Sequence, residues 1–215
     1  MSAGLQGPPS NLRGFPMQPA RQQSRTLYRI FHARHHTTGT LNPPWHYSSA
    51  PAPAAGGRFD LPAPHGTCYW SDRRYGAWVE VFRGARLVDP VDARARRLHT
   101  AEAPALRLAD VTAARAYSFG VTAELSTIDD YTLPQQWALA LHAHGAEALR
   151  GTCRHDPTSR AHNIAVFGSA GRAARRRGWR TSRGPVETDL ALLSELAGLG
   201  VRVPPVPRTV SVTTP

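Results

Sequence analysis

The run Gly66-Thr67-Cys68-Tyr69-Trp70-Ser71-Asp72-Arg73-Arg74-Tyr75-Gly76-Ala77-Trp78-Val79-Glu80-Val81-Phe82-Arg83 changes its periodicity partway along. Gly66 to Trp70 reads as a short strand. Ser71 is suited to cap a helix N-terminus, and beyond it Tyr75, Trp78, Val79 and Phe82 recur at i, i+3, i+4 and i+7. That spacing predicts a helix to about Arg83 with one core-facing stripe, and it leaves Glu80 on a different face. A strand therefore feeds into a helix, and the off-stripe face suits a cleft-lining carboxylate.

Working outward, Thr26 to Arg34 has the apolar and aromatic density of a first strand, and residues 1–25 lack periodicity and read as a disordered tail. Residues 42–57 form a Pro/Ala/Gly loop of a length usually seen in functional lids or disordered insertions. Leu106 to Val111 is a further strand, with Arg94, Arg96 and Arg97 on its polar approach. Thr132-Leu133-Pro134-Gln135 starts a helix, with Thr as N-cap and proline in the first turn, and it runs to about His144. Asn163 to Phe167 is an apolar strand. The run Arg172 to Arg180, with five arginines, reads as an exposed polar face, then as a partner-binding edge or a nucleic-acid contact. Val186 to Leu199 makes a last amphipathic helix ended by Gly198 and Gly200. The domain proper is expected over 26–200, followed by a loose tail at 201–215.

The 215 residues suit one domain with a sizeable core. A net charge of +11 ordinarily suggests a nucleic-acid partner. Here all 26 basic residues are arginine and lysine is absent, a pattern of codon usage in a GC-rich genome rather than of phosphate binding. A nucleic-acid partner is therefore not expected. Cys68 and Cys153 are the only cysteines and lack paired spacing, which excludes a disulfide framework and fits a reducing compartment. No apolar run approaches the roughly 18 residues of a membrane span, so a soluble cytoplasmic protein without membrane association is expected. His32, His35 and His36 have no ligand spacing with Cys68 or His155 that matches a zinc site, and no metal is expected.

Chemistry concentrates in four segments: Leu27-Tyr28-Arg29, Gly57-Arg58-Phe59-Asp60, the stretch from Cys68-Tyr69-Trp70 to Trp78-Val79-Glu80, and Gly151-Thr152-Cys153-Arg154-His155-Asp156-Pro157. Arginines grip pyrophosphate bidentately, a tyrosine face holds an aromatic cation for roughly 0.5–2 kcal/mol, and a carboxylate stabilises an oxocarbenium-like sugar. In this order the segments resemble the RES family, named for its Arg, Glu and Ser. The resemblance extends through Asp130-Tyr131-Thr132, Gln135-Gln136-Trp137-Ala138 and Ala165-Val166-Phe167, with Cys153 at the serine position.

The resemblance implies an α+β fold similar to ADP-ribosyltransferases, a single domain with a split central sheet, flanking helices and an NAD cleft. It implies an NAD glycohydrolase or phosphorylase-like enzyme with NAD as substrate and no cofactor, the toxin of a toxin–antitoxin pair with a helix-turn-helix antitoxin. A homodimer is left open. In the implied roles Arg29 and Arg58 clamp phosphates, Tyr69 holds nicotinamide, Glu80 stabilises the ribosyl cation and Cys153 orients substrate. Two alternatives stand beside it: ADP-ribosyl transfer to a macromolecule, and a catalytically silent RES domain serving as a binding module. Each residue also has a plainer reading. Arg29 and Arg58 are then surface arginines, Tyr69 a core aromatic, Glu80 a solvated partner of Arg83 at i,i+3, and Cys153 a buried thiol.

Overall fold

The computed structural model describes residues 4–18, 25–34, 37–172 and 178–204. In chain order the strands are β1 (Met17–Gln18), β2 (Arg25–His32), β3 (His46–Tyr47), β4 (Ser49–Ala50), β5 (Leu61–Pro62), β6 (His65–Ser71), β7 (Arg96–Ala103), β8 (Leu108–Asp110), β9 (Ala148–Thr152), β10 (His162–Ser169), β11 (Gly171–Arg172) and β12 (Arg180–Pro185). The helices are α1 (Arg74–Val81), α2 (Pro90–Arg94), α3 (Glu124–Thr127), α4 (Thr132–Ala143) and α5 (Leu190–Gly198). Eight strands make one mixed sheet in the order β1-β8-β9-β10-β6-β2-β7-β12. Pairing is antiparallel except between β8 and β9. This is the mixed α+β architecture that the family resemblance implies.

The sheet is nearly two. β2 is in register with β7 along its whole length, and β10 with β6 from Asn163 to Ser169. Between β2 and β6 a single pair is in register, Tyr28 opposite Ser71. Side chains alternate across each strand, so one face of both wings carries Leu27, Ala101, Cys68, Trp70, Ile164 and Val166. Trp45, Tyr47 and Trp179 cover that face. On the opposite face two separate helical layers form. α4 packs on Leu149, Ala165 and Phe167 through Trp137, Ala138 and Leu141. α1 and α5 pack on Ile30 and Leu98 through Ala77, Trp78, Leu192 and Leu196. The gap between these layers lies over the split.

Local chemistry explains where several elements start. α1 is shorter than its apolar stripe suggests, because Ser71 ends β6 instead of capping the helix. Arg73 occupies the N-cap with no side-chain bond, and the Ser71 hydroxyl accepts from the Arg73 N–H at 3.3 Å. The helix start is satisfied from a distance, by the Glu195 carboxylate of α5 accepting the Tyr75 N–H at 3.2 Å. α4 begins one residue earlier than a Thr132 cap requires, with Asp130 accepting from the Thr132 N–H and hydroxyl. β7 and β9 have no counterpart in the sequence reading. Their buried positions include Ala101, Ala103 and Ala148, which give little apolar contrast.

Parts of both expected tails pack on the domain. Residues 4–18 pack on the body: Leu12 and Phe15 are buried, Gln6 accepts the indole N–H of Trp137 at 2.7 Å, and β1 extends the sheet beside β8. This irregular segment is held by long-range bonds, which leave no periodic signal. At the other end Val201 is buried and Arg202 exchanges backbone bonds with Arg86 and Val88. Residues 205–215 lie outside the described residues, as do Ala173–Arg177 of the arginine run. The 42–57 loop is also partly structured, with Trp45 buried against Trp70 and Trp179.

Gly76 is where α1 touches the rest of the domain most closely. A Cβ there sits 2.2 Å from Ser71 Oγ and 2.8 Å from Ala161 Cβ. Gly76→Ala is expected to lower stability by about 1–3 kcal/mol through overpacking, despite alanine's better helix propensity. Gly198→Ala, with nothing within 4 Å of the added carbon, is expected to be neutral or stabilising. Equilibrium urea unfolding of both variants checks the contrast.

Candidate active site

A cleft of about 490 Å³ opens between the two helical layers, lined by Arg58, Tyr69, Glu80, Arg83, Arg154 and Asn163 among others. A smaller hollow of about 140 Å³ continues into the split itself, between Tyr28, Arg29 and Ile30 on β2 and Tyr69, Trp70 and Ser71 on β6. Tyr69, Glu80 and Asn163 border both.

The wall carrying Arg58 is organised by a carboxylate. Asp60 is 1% exposed and accepts from the Gly57 N–H at 2.7 Å, the Ser48 hydroxyl at 2.8 Å and the Tyr69 hydroxyl at 2.8 Å. Tyr69 in turn accepts the Phe59 N–H at 2.9 Å. Gly57 is required by close approach, since a Cβ there falls 2.7 Å from the Tyr69 hydroxyl. From the other side Gln135 of α4 spans the loop, accepting from the Ala54 N–H and donating to the Ala55 and Gly57 carbonyls. Arg58 is thereby aimed along the cleft, its guanidinium 4.7 Å from the centre of the Tyr131 ring and donating to the Ile128 carbonyl. Burial lowers its pKa somewhat. A guanidinium has five N–H donors, so most stay available to an anion. The Tyr69 phenol is pushed well up, first by burial and then by Asp60, and stays neutral.

Glu80 projects from α1 beside Trp78 and Val79, which are buried, and is itself half-buried. Its Oε1 accepts the His155 N–H at 3.5 Å, and among the described residues no ion pair joins it to Arg83. The solvated i,i+3 pair is therefore not how Glu80 is used in this fold. The opposite wall is the turn from Cys153 to Ala161, held by a second buried carboxylate. Asp156 accepts the N–H groups of Thr158, Arg160 and Ala161 at 2.9, 2.8 and 2.7 Å. Burial alone raises its pKa, but these hydrogen bonds outweigh burial and hold it below the usual aspartate range.

The structure thus brings Arg58, Tyr69 and Glu80 to one cleft. It places Arg29 and Cys153 differently. Strand alternation puts the Arg29 side chain on the tryptophan face, where it donates to Cys68 Sγ and to the His46 carbonyl at 3.4 Å. It borders only the smaller hollow, so it bridges the split from behind and does not form one clamp with Arg58. Cys153 is 2% exposed and lies under the cleft floor, its thiol donating to Asn163 Oδ1 at 3.2 Å. Burial and then Glu80 push the thiol pKa far up, so it is no thiolate nucleophile. Residues that the sequence reading missed complete the site. Arg83 and Arg154 line the rim, the latter paired with Asp129 at 2.7 Å. Asn163, Asp60 and Gln135 carry no local signal of their roles, because each acts across a gap in sequence.

The RES domain family model matches residues 26–189. The chain belongs to the RES-domain family. No curated protein matches it in sequence. Among solved structures it is similar to a chain of the M. tuberculosis MbcT–MbcA toxin–antitoxin complex, with a TM-score of 0.55 and 20% identity. The match covers 82% of this chain and 91% of that one. At such identity the likeness speaks for the fold alone. The family match ends at the N-cap of α5, so this RES domain also carries a last helix and an N-terminal segment, residues 4–18, outside the matched region.

The cleft wall from Cys153 to Ala161 has a definite pH dependence. A carboxylate whose folded pKa is depressed stabilises the fold fully above its unfolded pKa of about 4, and loses that contribution as pH falls through the lower folded value. Asp156→Asn is expected to lose about 1–3 kcal/mol near neutral pH. Its stability is also expected to fall less steeply than that of the wild type below about pH 4. Urea unfolding across an acid pH series measures both effects.

Proposed function

We propose that this RES domain degrades NAD by cleaving the nicotinamide–ribose bond, by hydrolysis or phosphorolysis, as the toxin of a toxin–antitoxin pair. The observation that carries the reading is the convergence of Arg58, Tyr69 and Glu80, from three separate segments, on one cleft of about 490 Å³. Family membership and the likeness to a chain of a toxin–antitoxin complex support it.

In this reading Arg58 holds the pyrophosphate, with Arg83 and Arg154 adding positive charge at the rim. Arg29 contributes charge from behind the split. The Tyr69 ring faces the cationic nicotinamide, its hydroxyl being engaged by Asp60 and Phe59. As the C1′–N bond breaks, its electron pair leaves with neutral nicotinamide and positive charge develops on the ribose. Glu80 stabilises that charge. An oxygen of water or phosphate then adds to C1′, and where water adds, its proton is released to solvent. Cys153 takes no covalent part.

A helix-turn-helix antitoxin occluding the cleft is the expected partner, its acidic groups meeting the arginine rim. Among the described residues no helix is long and apolar enough to cross a membrane, and NAD is abundant in the cytoplasm, where the enzyme is proposed to act.

Purified protein is expected to release nicotinamide from NAD. Glu80→Gln should lower kcat about 100- to 1,000-fold, the effect of removing one preorganised electrostatic group. Arg58→Ala should lower affinity about 10- to 100-fold, the loss of a charge-assisted contact. Mass spectrometry of the products, with and without phosphate and with labelled NAD, distinguishes hydrolysis, phosphorolysis and ADP-ribosyl transfer. Wild-type protein that leaves NAD intact under all these conditions overturns the NAD-cleaving reading and favours the silent binding module.

A further inference from the structure

Beneath the cleft floor three elements converge on the Cys153 thiol. Cys153 follows β9, and its backbone N–H donates to the Ala161 carbonyl at 3.2 Å. Its thiol lies 3.8 Å from the Gly76 carbonyl of α1 and donates to Asn163 Oδ1 of β10 at 3.2 Å. Asn163 sits opposite both Gly151 and Ser71, in the middle of the three-strand set that floors the cleft. Unlike Cys153, it borders both hollows, in company with Glu80 and Tyr69.

A side-chain amide offers one acceptor oxygen and two donor hydrogens, and its two ends look alike in shape. The S–H of a neutral thiol has two acceptors within reach here, Asn163 Oδ1 at 3.2 Å and the Gly76 carbonyl at 3.8 Å, and Oδ1 is the nearer. With Oδ1 turned to the thiol, the Nδ2 hydrogens are the part of Asn163 left for the cleft. Beside them Glu80 is an acceptor. A donor next to an acceptor is the complement of a sugar hydroxyl, which accepts from one group and donates to the other.

We propose that Asn163 is the residue of this wall that touches the substrate, donating from Nδ2 to a hydroxyl of the ribose at the scissile bond while Glu80 accepts from it. Cys153 is a positioning residue that acts only through Asn163. This rests on the NAD-cleaving reading of the cleft. It also accounts for cysteine where the family has serine. A hydroxyl can donate to the same amide oxygen, so the exchange preserves this contact.

Steady-state NAD cleavage by the whole chain, with melting temperatures measured alongside, tests this with five variants. Asn163→Ala and Asn163→Asp are each expected to lower kcat/KM about 10-fold or more, the loss of one buried hydrogen bond. Asn163→Asp keeps the side-chain size, so its loss should appear without a matching fall in melting temperature. Cys153→Ala should lower kcat/KM several-fold, Cys153→Ser should remain near wild type, and Cys153→Ala/Asn163→Ala should be no worse than Asn163→Ala alone. Multiplicative losses in the double variant, or wild-type kcat/KM in Asn163→Asp, overturn the proposal while NAD cleavage by the wild type stands. A wild type inert toward NAD overturns the parent reading and this inference with it.

Discussion

The near-failure of two strands to pair organises this protein. β2 and β6 share one registered pair, Tyr28 with Ser71, and beyond it the wings diverge. Backbone groups along an opened seam lose their ladder partners and require other satisfaction. On one face the opening is closed by Trp45, Trp70 and Trp179 packed with His99, and by Arg29 reaching from β2 to Cys68 on β6. Burial, reinforced by Arg29 and Arg183, pulls the His99 pKa down to about 4, so the imidazole is neutral at ordinary pH. On the other face nothing comparable among the described residues fills the gap between the α4 layer and the α1/α5 layer. That vacancy is the cleft.

Two buried aspartates give the cleft its walls. Asp60 gathers Gly57, Ser48 and Tyr69 on one side, and Asp156 gathers the N–H groups of Thr158, Arg160 and Ala161 on the other. Neither carboxylate reaches the reacting end in the proposed chemistry. Each satisfies several donors at once, which lets irregular backbone be buried without unpaired N–H groups. Site loops of this kind need internal acceptors because no ladder supplies them. Gln135 does the same work from α4, linking the loop that presents Arg58 to the main core.

Much of the fold was legible where apolar contrast is strong. The stripe of Trp78 and Val79, the helix from Thr132 and the apolar run ending at Phe167 all lie where their spacing places them. β7 and β9 were not legible, because alanine at buried positions blurs the alternation. The N-terminal segment was misread as a tail, since Leu12 and Phe15 pack as isolated anchors. Of the site, Arg58, Tyr69 and Glu80 could be named from motif order. The placement of Arg29 turned on strand parity, which flips a side chain to the other face with one residue of register.

Sequence by itself determined the ingredients: the elements with strong apolar contrast, the motif order that resembles the family, the off-stripe glutamate and Cys153 at the position that resembles the family serine. Those are local or ordered properties, carried by spacing and residue type. Only the tertiary structure decided which ingredients meet. It set Cys153 under the floor instead of in the cleft, put Asn163 between that thiol and the open space, and turned Arg29 to the back of the split. The reason is physical: strand register and burial are settled by packing of residues distant in the chain, and a motif records the neighbours of a side chain along the backbone but not across it.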